Sequence, residues 1–121
     1  MLVDAHHHLW NLSEVNYPWL MEKGATRFFG DPTPIQRNYL LDEHISKLEP
    51  FKFNASVHVQ VGAEDGWQEA KWIDQIATNS KNWKIVQVAF CDLAAPDFLD
   101  KINKLSKFKS LRGVRQIIGR A

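Results

Sequence analysis

The sequence lacks the cysteines needed for an internal disulfide, because Cys91 is the single cysteine among its 121 residues. A reducing compartment is the simplest expectation, and a cytoplasmic location is predicted. No apolar run reaches the roughly 18 residues needed to cross a bilayer. No charged segment followed by an apolar stretch opens the chain, so a secretory signal is not expected either.

An excess of charge of one sign is also missing. The 15 Lys and Arg residues nearly balance the 14 Asp and Glu residues, and the net charge is +1. Proteins that bind nucleic acid or acidic membranes usually carry a clear basic excess, so neither partner is expected. The densest basic stretch, residues 101–109, is expected to be the solvated face of a helix.

Alternating strand and helix patterns dominate what is present. The predicted strands cover residues 1–8, 54–61, 84–91 and 111–118, and helical spacing of apolar residues covers 40–48, 65–78 and 96–108. Strands separated by helices predict an α/β fold in which the strands are parallel and the helices cross over between them.

Two architectures have this order of elements: an open doubly wound sheet and a (β/α)₈ barrel. The open sheet favours a glycine-rich phosphate turn after the first strand, which the sequence lacks. Instead, the long segment 9–39 follows, and it would lie on the catalytic face of a barrel. Since a whole barrel needs about 250 residues, we expect residues 1–121 to form the N-terminal half, four βα units, of a TIM-type (β/α)₈ barrel.

Half a barrel would expose two sheet edges and an apolar interior. The expected macromolecular partner is therefore either a second copy of the chain or a missing C-terminal half.

The run Asp4-Ala5-His6-His7-His8 is the main chemical feature. In a strand, Asp4, His6 and His8 would share one face and His7 would take the other. Imidazole is a common zinc ligand, so His6 and His8 are predicted to bind a divalent metal, most simply zinc. A catalytic zinc usually has three protein ligands and an open position, so the pair is half a site. A hydrogen-bonded structural cluster is the alternative.

The second predicted strand alternates three polar residues, Ser56, His58 and Gln60, with valines. Barrel strands normally direct valines toward the helices, so the polar set is expected to face the barrel interior. Gln60, nearest the carboxyl end, is a candidate substrate-binding residue. His58 lies deeper and is more readily interpreted as a core histidine with hydrogen-bond partners.

Four further residues are candidates for contacts with substrate. Arg115, expected on the same face as Gly113, could bind a carboxylate or polarise a carbonyl, with a structural ion pair as the alternative. Arg37 is a candidate substrate-binding residue or an ordinary surface arginine. Trp10 and Trp19 could form the walls of a substrate pocket or pack the long segment.

Six short motifs span residues 4–10 (Asp-Ala-His-His-His-Leu-Trp), 17–20 (Tyr-Pro-Trp-Leu), 37–40, 57–60, 92–97 and 111–115. Taken in this order, they resemble the lactonase-like subgroup of the amidohydrolase-2 family, the L-fuconolactonase and L-rhamnonolactonase type. The resemblance implies metal-dependent hydrolysis of a sugar lactone or similar cyclic ester, a small-molecule substrate, and metal binding by His6 and His8.

Two departures from the family pattern limit this expectation. Gln116 stands where many relatives have a histidine, and the family's catalytic Asp and further histidines have no counterpart in residues 1–121. The chain alone is therefore expected to be inactive. A decarboxylase of the same superfamily, which shares the His-x-His opening, and an inactive half-barrel that oligomerises are the alternatives.

Overall fold

In the computed structural model, which describes residues 1–119, helices connect four parallel strands. The strands are β1 (Val3–His7), β2 (Ala55–Val59), β3 (Lys84–Phe90) and β4 (Leu111–Arg115). The helices are α1 (Pro18–Met21), α2 (Leu41–Leu48), α3 (Gly66–Asn79) and α4 (Phe98–Leu105), with 3-10 turns at Thr33–Ile35 and Glu49–Phe51. The strand order is β1-β2-β3-β4 and every pairing is parallel, so the predicted parallel α/β arrangement is confirmed.

None of the helices within residues 1–119 has both the length and the apolar character that crossing a lipid bilayer requires.

The prediction of half a (β/α)₈ barrel is wrong. The described residues form a small, compact α/β domain with one four-stranded sheet and four helices. Alternating strands and helices determine that neighbouring strands are parallel, because each crossover returns the chain to the same end of the sheet. The same alternation is compatible with an open sheet. The missing glycine turn and the long segment 9–39, which favoured a barrel, concern ligand chemistry and do not determine whether a sheet closes.

The polar residues of β2 face the helices, which is opposite to the prediction. Ser56 accepts a hydrogen bond of 2.8 Å from Nε1 of the core residue Trp83. Nε2 of His58 lies 3.5 Å from Oε2 of Glu69 on α3. Alternation distinguishes the two faces of a strand but does not say which one the helices cover. A polar face can be the covered one where partners are available, as they are for Ser56 here.

The segment 9–39 belongs to the core and is not merely a loop over the sheet. Leu9, Tyr17 and Leu20 have no exposed surface, and Val15 is 2% exposed. Complete burial of an apolar side chain of this size contributes about 1.5–3 kcal/mol. The segment therefore anchors itself against the sheet and α3. The buried members of this core are Leu9, Val15, Tyr17, Leu20, Leu41, Trp72, Ile73, Trp83 and Ile85.

The N terminus of α3 is stabilised by a side-chain cap. Oδ1 of Asp65 accepts hydrogen bonds from the backbone N–H of Trp67 at 3.0 Å and of Gln68 at 3.4 Å. Asp97 occupies the equivalent position before α4 but makes no side-chain capping bond. The two aspartates therefore form a matched pair.

We expect Asp65→Ala to lower the free energy of unfolding by about 1 kcal/mol, because two backbone N–H groups lose their acceptor. Asp97→Ala should cost only about 0.3 kcal/mol, the range of an exposed i,i+4 ion pair, since the one ion pair of the Asp97 carboxylate within residues 1–119 is with Lys101 at 3.4 Å. Urea denaturation of the two variants beside the wild type measures both values. Equal losses would show that the Asp65 cap does not stabilise α3.

Candidate functional site

The carboxyl ends of the four parallel strands meet at one edge of the sheet, so side chains that end or follow these strands can converge there. His8 and Gln60 directly follow β1 and β2, and Arg115 ends β4. We refer to His6, His8, Gln60 and Arg115 as the carboxyl-edge cluster.

The rings of His6 and His8 lie edge to face, with centroids 5.1 Å apart and planes at 89°. Two imidazoles that bind one tetrahedral zinc at ~2.0–2.1 Å would have their ring centres about 5.2 Å apart. The centroid spacing of this pair is compatible with two ligands of one metal ion and equally with an ordinary edge-to-face ring contact.

The tautomer of His8 also suits a metal ligand. Nδ1 of His8 lies 2.7 Å from the carbonyl oxygen of Val59. Because a carbonyl only accepts, Nδ1 is the donor and the lone pair remains on Nε2. Metal-binding histidines commonly donate their second N–H to a backbone carbonyl in this way. Burial lowers the pKa of His8, against the opposing effect of the Val59 bond, and so favours the neutral form that ligates metal.

A second hydrogen bond runs between the same two strand ends in the opposite direction. The backbone N–H of Leu9 donates to Nδ1 of His58 at 3.1 Å, so the hydrogen of the neutral His58 ring is on Nε2. That nitrogen faces Glu69 at 3.5 Å without forming a hydrogen bond. His58 is therefore buried in the core, as the favoured interpretation of the sequence has it, but only one of its two ring nitrogens has a hydrogen-bond partner in residues 1–119.

Glu69 is a buried carboxylate, 2% exposed, that joins α3 to this region. It accepts a hydrogen bond of 2.9 Å from the hydroxyl of Tyr17 and further contacts of 3.3 and 3.4 Å from the backbone N–H of Val61. Burial, with Glu69 beside it, raises the pKa of Tyr17, which therefore remains a donor. Buried charge is tolerated only with such partners.

Sequence reasoning missed Glu69, although a signal was present. Glu69 precedes Trp72 and Ile73 by three and four positions, so it lies on the apolar face of α3. A carboxylate in that position predicts a buried polar partner.

The alternation expected for β1 breaks at its centre, where the pairing register shifts between Asp4 and His7. Oδ2 of Asp4 lies 2.8 Å from Nε2 of His44 on α2, and the hydroxyl of Tyr39 lies 2.9 Å from Nδ1 of His44. The prediction that Asp4 shares a face with His6 and His8 is therefore wrong. An irregular register lets residues of unexpected parity face the same side.

His7 is buried on the α2 side, 6% exposed, and stacks on His44 with ring centroids 4.1 Å apart. Within the described residues neither ring nitrogen of His7 has a hydrogen-bond partner. Burial, together with the neighbouring histidines, lowers the pKa of His7 to about 2. His7 is therefore neutral and takes no part in the His6–His8 pair.

Arg115 ends β4, at the opposite edge of the sheet from β1, and its side chain reaches the end of β2. Its Nη2 donates a 2.6 Å hydrogen bond to the carbonyl oxygen of Gln60, and its Nε is buried with no hydrogen-bond partner in residues 1–119. The charge of Arg115 contributes to the lowered pKa of His8. No carboxylate of the described chain forms an ion pair with Arg115, so its alternative role in a structural ion pair is not observed.

The side chain of Gln60 is engaged in the turn that follows β2. Gln60 is 3% exposed, and its Oε1 accepts a 2.9 Å hydrogen bond from the N–H of Gly62. Gly62 has φ +77°, and a Cβ there would meet Trp19 at 3.2 Å, so this turn needs glycine. Nε1 of Trp19 donates to the Val61 carbonyl at 2.8 Å. Substrate binding by Gln60 or Trp19 remains a prediction.

His8, Trp10 and Arg37 line one cleft of 280 Å³. Nε1 of Trp10 donates to the Arg37 carbonyl at 2.6 Å, and the Trp10 and Trp19 rings are 6.4 Å apart. The Arg37 guanidinium forms two hydrogen bonds, of 2.8 and 2.7 Å, to Glu43. Three predicted site residues therefore meet, but Arg37 already has a carboxylate partner.

Gln116, the departure from the family pattern, links the loops after β3 and β4. Its Oε1 accepts from the N–H of Leu93 at 2.9 Å, and its Nε2 donates to Asp92 at 3.3 Å. Asp92 also accepts from the N–H of Ala94 at 3.0 Å and so stabilises its own turn.

In residues 1–119, no three or more His, Cys, Asp and Glu side chains are grouped so that they could hold a metal ion. Metal binding by His6 and His8 therefore stays a prediction.

Comparison with known proteins finds a relative whose description names no activity. A protein of Sinorhizobium fredii (strain NBRC 101917 / NGR234), described as uncharacterized protein y4mH, is 29% identical to the chain over 117 residues. The similar region covers 95% of the chain and 39% of that relative, so the chain spans well under half of the relative's length. No protein-family model matches the chain, and no solved structure matches it.

His7→Phe should leave the protein at least as stable at pH 7 and raise its free energy of unfolding by up to about 1 kcal/mol. The reason is that two buried nitrogens without partners are replaced by carbon while the stacked ring remains.

At acidic pH, the difference in the free energy of unfolding between His7→Phe and the wild type should increase. Unfolded His7 binds a proton near pH 6.5, whereas folded His7 binds one only near pH 2. Between these values the unfolded state holds more protons, so wild-type stability falls as the pH drops. The loss from this residue is about 1.4 kcal/mol per pH unit, and His7→Phe should lack it. Urea denaturation at several pH values, with chelator present, measures both slopes. If the free energy of unfolding of the two proteins changed equally with pH, the lowered pKa of buried His7 would be contradicted.

Proposed function

We propose that His6 and His8 bind a divalent metal, zinc in the simplest case, and that the chain supplies this pair to a hydrolase acting on a sugar lactone or similar cyclic ester. The observation that carries the proposal is the geometry of the pair. The ring centroids are 5.1 Å apart, and the Val59 carbonyl holds His8 in the tautomer whose Nε2 has a free lone pair.

A divalent metal, when bound, polarises a carbonyl and lowers the pKa of a bound water toward about 7. The part played by this chain is to hold two imidazoles in place at the sheet edge. Burial lowers the pKa of His8, which favours the neutral ring, and its bond to Val59 fixes the plane of the ring.

Arg115 supports the hydrolase proposal as a donor for developing negative charge. One of its Nη atoms is anchored on the Gln60 carbonyl, which restricts the orientation of the guanidinium. Its charge is not neutralised by a carboxylate of residues 1–119. A positioned guanidinium of this kind can bind the carbonyl oxygen of a lactone as that oxygen gains charge.

The lactone ring would lie between this edge and the adjoining 280 Å³ cleft, where Trp10 provides an aromatic wall beside His8. Trp19 lies behind Trp10 and supports it. Arg37 would reach substrate only by giving up its two hydrogen bonds to Glu43.

Metal binding is the first test. We expect one Co²⁺ or Zn²⁺ to bind per chain, and His6→Ala or His8→Ala to weaken the affinity by more than about 100-fold, because each removes a ligand. Calorimetric titration measures the affinity, and the Co²⁺ absorption spectrum reports the ligand geometry.

His7→Phe is the matched control for that titration. It changes the histidine between the two proposed ligands and should leave the affinity unchanged, since His7 faces α2. An affinity lowered as much by His7→Phe as by His8→Ala would contradict the assignment of the pair, and so would unaltered binding in all three variants.

Lactone recognition is the second test. The zinc-loaded chain should bind a sugar 1,4-lactone, detected by saturation-transfer NMR, and Arg115→Ala should weaken that binding about tenfold. An aromatic carboxylic acid, offered in parallel, tests the decarboxylase alternative. Lactone binding that is independent of both zinc and Arg115 would refute the proposed role of this edge.

A further inference from the structure

A larger cleft lies between the start of α3, the end of β3 and α4. It encloses 890 Å³, within the range of about 300–1,000 Å³ that is typical of small-molecule sites. None of its lining residues belongs to the carboxyl-edge cluster. We call it the α3–α4 cleft, and ligand binding there is independent of the proposed hydrolase function. Its apolar side is formed by Trp67, Phe90, Leu105 and Phe108, and its basic side by Lys101, Lys104 and Lys107.

The apolar side presents aromatic surface to solvent. Trp67 is 44% exposed and Phe90 38% exposed, and the rings of Trp67 and Phe108 are 5.5 Å apart. Phe90 lies directly on α3 at Gly66, where a Cβ would come within 2.9 Å of its ring. Clustered exposed apolar surface of this kind usually marks a binding site.

The acidic residues at the cleft are already engaged within the chain. Asp65 caps α3, Glu64 accepts a 2.7 Å hydrogen bond from Asn16, and Asp92 accepts from two donors in its own and the next loop. All three carboxylates keep their negative charge, because their donors are neutral N–H groups, but in residues 1–119 none lies within ion-pair distance of a lysine of the cleft.

The basic residues are less fully engaged. Lys101 pairs with Asp97 at 3.4 Å. Lys104 and Lys107 form no ion pair or side-chain hydrogen bond with any residue in 1–119. The cleft therefore combines an aromatic wall with two ammonium groups that have no carboxylate of residues 1–119 within ion-pair distance.

We propose that the α3–α4 cleft binds a small amphipathic carboxylate, with its apolar body against Trp67, Phe90 and Phe108 and its carboxylate at Lys104 and Lys107. The aromatic wall favours a ligand with an apolar body, because burial against it gains free energy in proportion to the apolar area removed from water. The two lysines select an anion over a cation of the same shape.

Displacement of the fluorescent anion 1-anilinonaphthalene-8-sulfonate tests the proposal on the whole chain. Octanoate should displace the dye, whereas octylammonium at the same concentration should not. Equal displacement by both would show that the lysines do not select charge, and failure of octanoate to displace or to bind in calorimetry would overturn the site.

Two sets of variants locate the binding. Lys104→Glu with Lys107→Glu should weaken octanoate binding about tenfold, while the control Lys23→Glu with Lys81→Glu makes the same charge change away from the cleft and should have no effect. Trp67→Ala, at an exposed position, should also weaken octanoate. Equal effects of the two lysine pairs, or no effect of Trp67→Ala, would contradict the assignment.

Discussion

Two reciprocal hydrogen bonds between the ends of β1 and β2 hold the candidate site together. His8 donates from Nδ1 to the Val59 carbonyl, and the backbone N–H following His8, that of Leu9, donates to Nδ1 of His58. Each bond determines the tautomer of one ring. The first leaves Nε2 of His8 as the lone-pair nitrogen. Without that bond, either nitrogen of His8 could carry the proton, and the spacing of the His6 and His8 rings would not say which nitrogen is free to bind a ligand. The proposed metal pair depends on the ordinary pairing of two parallel strands.

The support behind these bonds comes from three parts of the chain that are distant in sequence. Glu69 on α3 faces His58, and Tyr17, from the segment between β1 and α2, donates to Glu69. A buried carboxylate is costly unless its oxygens accept hydrogen bonds. Because Tyr17 donates to Glu69, the buried position of Tyr17 and the packing of α3 against the sheet depend on each other. Burial of Leu9 and Leu20 in the same core explains why a segment with so little regular structure is nevertheless ordered.

Much of the fold could be predicted from the sequence, because period-2 and period-3.6 patterns are local. The parallel strands and the adjacency of His6 and His8 follow from those patterns. The faces of β2 could not be predicted in the same way. Ser56 and His58 are buried against Trp83 and Glu69, and these partners are recognised only once α3 is in place. Asp4 was misplaced because a register shift in β1 leaves no trace in the sequence, and closure of the sheet depends on contacts that alternation does not specify.

The most direct test of this account is the tautomer of His8. Long-range ¹H–¹⁵N NMR of the imidazoles distinguishes a protonated from an unprotonated ring nitrogen at each histidine. The account predicts that at neutral pH His8 carries its proton on Nδ1, and that added Zn²⁺ shifts Nε2 of His8 while the nitrogens of His58 stay unchanged. A proton on Nε2 of His8, or a zinc response at His58 in place of His8, would contradict it.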